Sequence, residues 1–88
     1  MALDKKPWVV YLLECTDGTY YCGITNNLEK RLKAHNSGKG AKYTKKRGPY
    51  ILLGTISALD KTAAARLEYF IKQQTKREKL RVFKTHSR

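Results

Sequence analysis

Acidic side chains are scarce in this chain: seven Asp and Glu stand against nineteen Lys and Arg, a net charge of +12. That imbalance costs self-repulsion in the compact state, so it points to a polyanionic partner. Cysteine is scarcer still. Cys15 and Cys22 form no Cys-x-x-Cys or Cys/His pattern, which argues against a zinc cluster or a disulfide framework and leaves both as buried small residues. There is no run of about 18 apolar residues, and the cations are spread along the chain instead of gathered on one amphipathic face. Membrane is thereby disfavoured, and nucleic acid is the expected partner. Residues 1–6 lack an apolar stretch followed by a cleavage site, which predicts a cytoplasmic, intracellular protein. No linker, repeat or low-complexity segment divides the chain, so residues 1–88 are expected to form one domain, a monomer with a core of about 8–79 and a basic C-terminal tail. So short a chain buries only about 60% of its unfolded surface, which excludes a large internal cavity.

What is present begins with a ladder. Tyr11, Tyr21 and Arg31 stand ten residues apart, and His35 lies one helical turn past Arg31. Pro7 to Cys15 is apolar at both alternations, as a strand covered on both faces must be. The segment from Thr16 to Thr19 is a strong turn signal, and Thr19 to Ile24 is rich in strand formers, so the two runs should make a β-hairpin. A two-residue Asp17-Gly18 turn would pair Tyr11 with Ile24 and put Tyr11 and Tyr21 on opposite faces. A three-residue loop, with Gly18 left-handed, would pair Tyr11 with Gly23 and put both phenols on one face. The sequence permits either, and the second is favoured. In that register Gly23 is expected to leave open space opposite Tyr11 for another backbone or a phosphate.

Thr25, Asn26 and Asn27 are cap candidates for a short helix from Leu28 to Asn36, with Leu28 and Leu32 one turn apart. Arg31 and His35 fall on the flank of that stripe, facing the sheet edge; a solvated Arg and a helix-end His are the plainer explanation of the pair taken alone. Next comes a cation-dense, acid-free segment with an embedded aromatic, Lys39, Lys42, Tyr43, Thr44, Lys45, Lys46 and Arg47. Cations that neutralise phosphate, beside a tyrosine that can stack, make it the expected nucleic-acid contact. Pro49 to Ile56 reads as a third strand. Asp60 should cap a helix from Lys61 to about Gln74, with Ala64, Leu67, Phe70, Ile71 and Gln74 on its buried stripe. Glu68 sits at the margin of that stripe, either paired with Lys72 or free to bind a metal. From Thr75 onward the chain predicts a frayed tail or short helix, and His86 has no partner suggested by sequence.

The set resembles the GIY-YIG nuclease superfamily, and in particular its small single-domain, UPF0213-like branch, related to the catalytic module of excision-repair and branched-DNA endonucleases. Val9-Val10-Tyr11 stands where that family has Gly-Ile-Tyr, and Tyr21-Cys22-Gly23 where it has Tyr-Ile-Gly. Asn27 to Arg31, then His35, then a helical Glu68 complete the pattern, and His35 to Thr44 is similar to the small branch. The chain departs from the pattern at Val9, at Ile24 where excision-repair relatives often carry lysine, and after the glutamate helix, where only Gln73, Gln74 and Lys79 approach the expected asparagine.

The resemblance implies an α+β fold, a three-stranded antiparallel β-sheet flanked by helices, and phosphodiester hydrolysis with a single Mg²⁺ or Mn²⁺, as in DNA repair or recombination. It makes Tyr11 the general base, Arg31 the phosphate ligand, Glu68 the metal ligand, and Tyr21 and His35 hydrogen-bonding assistants. A metal-bound water, Arg31 and His35 are expected to favour the Tyr11 phenolate. The alternatives are a non-catalytic DNA- or RNA-binding module of the same fold and a basic ribosome-associated protein. Nothing in the sequence reads base edges, so a structure-selective endonuclease, targeted by an unidentified partner subunit, is the expectation.

Overall fold

The structure, a computed structural model, describes residues 7–36 and 50–86. Within them the chain runs β1 (Trp8–Glu14), β2 (Tyr20–Thr25), α1 (Leu28–Asn36), β3 (Ile51–Ala58), α2 (Lys61–Lys72) and α3 (Lys76–His86). The strands form one antiparallel sheet in the order β2-β1-β3. The run that is apolar at both alternations is therefore the middle strand, and Val10, Tyr11, Leu12 and Leu13 are all fully buried. No helix among the described residues is long and apolar enough to cross a membrane.

The hairpin closes through the three-residue loop. Gly18 adopts φ +85°, where a side chain is strained. Its N–H donates to the Cys15 carbonyl at 2.9 Å, and the Cys15 N–H to the Thr19 carbonyl at 2.8 Å. Asp17 braces the far side of the turn, its Oδ1 accepting the Thr19 N–H at 3.0 Å and the Thr19 hydroxyl at 2.6 Å. Tyr11 consequently pairs with Gly23, and Leu13 with Tyr21. Both phenols share one face because the loop has three residues and not two.

The opposite face carries the main core. Val10, Leu12 and Cys22 pack with Ala64 and Ile71 of α2 and Phe83 of α3, with Trp8, Leu53, Leu67 and Val82 around them. Asp60 starts α2 by accepting the Ala63 N–H at 2.8 Å. The helix ends at Lys72, short of Gln74, because the N–H groups of Gln73 and Gln74 turn back to the Phe70 and Ile71 carbonyls and tighten the last turn. Phe70, expected on the buried stripe, is 52% exposed. It stands about 100° around the helix from Ile71, beyond the edge of the stripe.

The C-terminal segment is an ordered helix and not a frayed tail. Thr75 caps α3, its hydroxyl accepting the Glu78 N–H at 3.2 Å. Phe83 is fully buried, against Gly54 of β3. The core thus extends past residue 79, and burial of one such ring contributes about 1.5–3 kcal/mol.

Candidate active site

The face away from α2 and α3 holds Tyr11 and Tyr21, and α1 delivers two side chains to it. Asn27 begins that helix, its side-chain oxygen accepting the Lys30 N–H at 3.2 Å and its carbonyl the Arg31 N–H at 3.0 Å. Residues four apart share a helix face, so Arg31 and His35 approach the sheet together. The deepest residue of α1 is not Leu28 or Leu32, both only partly buried, but His35, which is 1% exposed. It faces the sheet, as expected, between the Tyr11 and Tyr21 rings. Its Nε2 is 2.8 Å from the Tyr11 hydroxyl.

Arg31 Nε donates to the same hydroxyl at 3.3 Å, and the guanidinium also hydrogen-bonds Tyr21. An arginine can only donate, so the Tyr11 oxygen accepts from Arg31, and in the neutral His35 tautomer with Nε2 unprotonated the phenol donates its own proton to the imidazole. The rings of Tyr11 and Tyr21 stand edge-on to the imidazole, with centroids at 5.8 and 5.4 Å.

Burial pushes the Tyr11 phenol up to about 12, with the Arg31 hydrogen bond working in the other direction. Burial thus opposes the phenolate that Arg31 and a metal-bound water are expected to favour. Burial, helped by the Arg31 charge, pushes His35 down to about 4. The hydrogen bond to Tyr11, ahead of the opposing effect of burial, holds Arg31 protonated more firmly than usual. At neutral pH the cluster is a phenol, a neutral imidazole and a cation.

His35 binds its proton less tightly in the folded chain than the ordinary 6.5 of the unfolded one. Its contribution to stability is full above about pH 6.5 and is lost as pH falls toward about 4, up to roughly 3 kcal/mol. Denaturant unfolding between pH 4 and 7 should show this slope in the wild-type protein and a shallower one in His35→Gln. Equal slopes would contradict a neutral buried imidazole.

Gly23 has a different role from the one its lack of a side chain first suggests. The space opposite Tyr11 is filled by the phenol itself: a Cβ at Gly23 would come within 2.6 Å of the Tyr11 hydroxyl oxygen and 3.0 Å of Tyr21 Cε2. The glycine makes room for the tyrosine and not for a ligand.

Glu68 is placed apart from this cluster. It lies on α2, on the core side of the sheet, where its charge adds to burial in raising the Cys22 thiol. Lys72 Nζ is 3.5 Å from its Oε2. Cys22 is flanked in β2 by Tyr21 and Gly23, whose positions alternate to the other face of the sheet. Among the described residues no group of three or more His, Cys, Asp and Glu converges. A lone, partly exposed carboxylate suits Mg²⁺, which keeps most of its waters and takes one or two carboxylates plus substrate phosphate, and does not suit zinc.

Lys39, Lys42, Tyr43, Thr44, Lys45, Lys46 and Arg47, the expected nucleic-acid contacts, lie outside the described residues. One neighbour of the site escaped the sequence pattern. Tyr50, just before β3, presents its ring to His35 with centroids 5.9 Å apart. Its only signal was an aromatic residue after Gly48-Pro49 at the start of an apolar run.

Comparison with known proteins agrees with this frame. The GIY-YIG catalytic domain profile matches residues 7–81. A UPF0213 protein of Nitratidesulfovibrio vulgaris is 52% identical over 73 residues, 83% of this chain and 66% of that one. A UPF0213 protein of Streptococcus agalactiae is 46% identical over 82 residues, 93% of each chain. Solution NMR structures of a UPF0213 protein from Bacillus halodurans and a protein from E. faecalis are similar in fold. The first has a TM-score of 0.57 at 42% identity, covering 91% of this chain and 85% of its own. The second has 0.66 at 41%, covering 92% and 86%. With the profile running from the first strand into the last helix, and relatives matched over most of their length, the chain belongs to the GIY-YIG catalytic domain family of the nuclease superfamily, among its small UPF0213 proteins.

Proposed function

We propose that the protein is a metal-dependent endonuclease that hydrolyses DNA phosphodiester bonds, selecting substrates by structure and not by sequence. The observation that carries this reading is the Tyr11 hydroxyl bridging Arg31 Nε at 3.3 Å and His35 Nε2 at 2.8 Å. The net charge of +12 draws in the polyanion. The terminal amino groups of Arg31 then meet the scissile phosphate and oppose the charge that develops on it.

A phenol pushed up to about 12 is a poor base by itself at neutral pH. It acts here as a conduit. As the attacking water yields a proton to the Tyr11 oxygen, Tyr11 passes its own to His35 Nε2, so no free phenolate has to form. The imidazolium so produced is balanced by the extra negative charge on phosphorus. Tyr21, hydrogen-bonded to Arg31, fixes the guanidinium and lines the phosphate site.

Glu68 would hold the divalent ion, which when bound neutralises phosphate charge and assists the leaving oxygen. Glu68→Ala should lower Mg²⁺-dependent nicking of a flap or junction by about 10²-fold or more while DNA binding persists. The Lys72 pair it loses is worth only about 0.5 kcal/mol, so the fold should hold. Unchanged cleavage would remove Glu68 from the mechanism. Binding without any metal-dependent cleavage by the wild-type protein would leave the binding-module reading in its place.

A further inference from the structure

The imidazole of His35 has a third aromatic neighbour that neither takes up phosphate nor exchanges a proton in the mechanism above. The Tyr50 ring stands edge-on to it at 66°, with centroids 5.9 Å apart. Tyr50 is itself held. Its backbone N–H donates to Asn36 Oδ1 at 3.2 Å, so the residue before β3 is tied to the last residue of α1, next to His35 in sequence.

Among the groups that face the imidazole are Tyr11 from β1, Tyr21 from β2, Arg31 from α1 and Tyr50, the residue before β3. Three of these are aromatic rings and one is a cation. A cation and a ring wall both disfavour imidazolium, and the rings, together with the hydrogen bond to Tyr11, fix the plane of the imidazole and the direction in which Nε2 points.

We propose that Tyr50 is a positioning residue: its ring forms the third wall around His35, orienting Nε2 toward the Tyr11 hydroxyl and keeping water from the imidazole. The ring performs this task and the phenolic oxygen does not. Asn36 keeps the ring in register, so a displacement of Tyr50 reaches the catalytic proton acceptor. This role rests on the reading of His35 as the acceptor of the Tyr11 proton.

The test follows the His35 ring protons by NMR across a pH titration of the protein without DNA, beside cleavage kinetics with Mg²⁺. In the wild-type protein His35 should show no inflection near 6.5, in keeping with its depression to about 4. Tyr50→Ala should admit water and move the midpoint upward by about one unit or more. The same variant should lower kcat about tenfold with KM nearly unchanged, the pattern of a misaimed acceptor and not of lost binding. Tyr50→Phe should match the wild-type protein in both measurements. Asn36→Ala, which alters only an exposed tie, should shift the midpoint in the same direction by less, and it decides the matter if Tyr50→Ala does not fold.

A His35 midpoint that stays put in folded Tyr50→Ala would overturn the proposal, and so would a Tyr50→Phe protein that behaves like the alanine variant. Absence of cleavage by the wild-type protein would defeat the nuclease reading instead, and the titration would still report on Tyr50.

Discussion

Tyr11→Phe should cut cleavage by about 10²- to 10⁴-fold while leaving DNA affinity nearly intact. The exchange keeps the ring that packs against Tyr21, with centroids 6.3 Å apart, and against the bare backbone of Gly23. It removes one oxygen, the atom through which Arg31 and His35 communicate. Two buried or half-buried polar atoms then lose a partner, so the variant should also be less stable by about 1–3 kcal/mol. Thermal melts with matched DNA titrations separate that loss from the catalytic one. The pH profile gives a second check. A simple phenolate base would make the rate climb with pH toward about 12. A proton passed on to neutral His35 instead gives a rate that falls on the acid side as the imidazole fills, and does not follow phenolate on the alkaline side. Near-normal cleavage by Tyr11→Phe would exclude the conduit.

Gly23→Ala should be nearly as damaging, although it adds only a methyl group. The new carbon would lie 2.6 Å from the Tyr11 hydroxyl oxygen and 2.7 Å from its Cζ. Separations under 3.0 Å are essentially never tolerated, so something must shift. Tyr11 is fully buried and fixed at its tip, and retreat would carry the hydroxyl away from His35. A displacement of that kind costs about 10² in rate. Overpacking should also lower stability by about 1–3 kcal/mol. Gly54→Ala supplies the control, because its added carbon meets Phe83 Cβ at 3.1 Å on the other side of the sheet. That variant should lose stability yet keep its activity per folded molecule. A Gly23→Ala protein with the wild-type rate would show that the phenol is not held where the mechanism needs it.

Local chemistry explains which features could be read before the structure. The hairpin was legible from its turn residues, with both registers open and the three-residue one favoured, and α2 because Asp60 is a strong cap. The burial of His35 was not legible. Its helix offers Leu28 and Leu32 as the apolar positions, and only packing of that helix on the sheet face that carries Tyr11 turns a polar imidazole inward. Phe83 was legible as a possible packing point, but the Lys and Arg around it left open whether its segment frays or forms the helix whose inner face closes the core. Periodicity left Glu68 between a Lys72 pair and a metal ligand, and it was the family resemblance that made it the metal ligand of the candidate set. Tyr50 was missed because its partner lies across the connection between α1 and β3, a distance that no local pattern spans.

The thiol of Cys22 sits between Tyr21 and Gly23, 4% exposed and pushed up to about 12 by burial and then by the Glu68 charge. Only the thiolate reacts with alkylating reagents, so the folded chain shields this sulfur from them. Its labelling rate becomes an internal gauge of how often the second strand peels open, readable without any nucleic acid present.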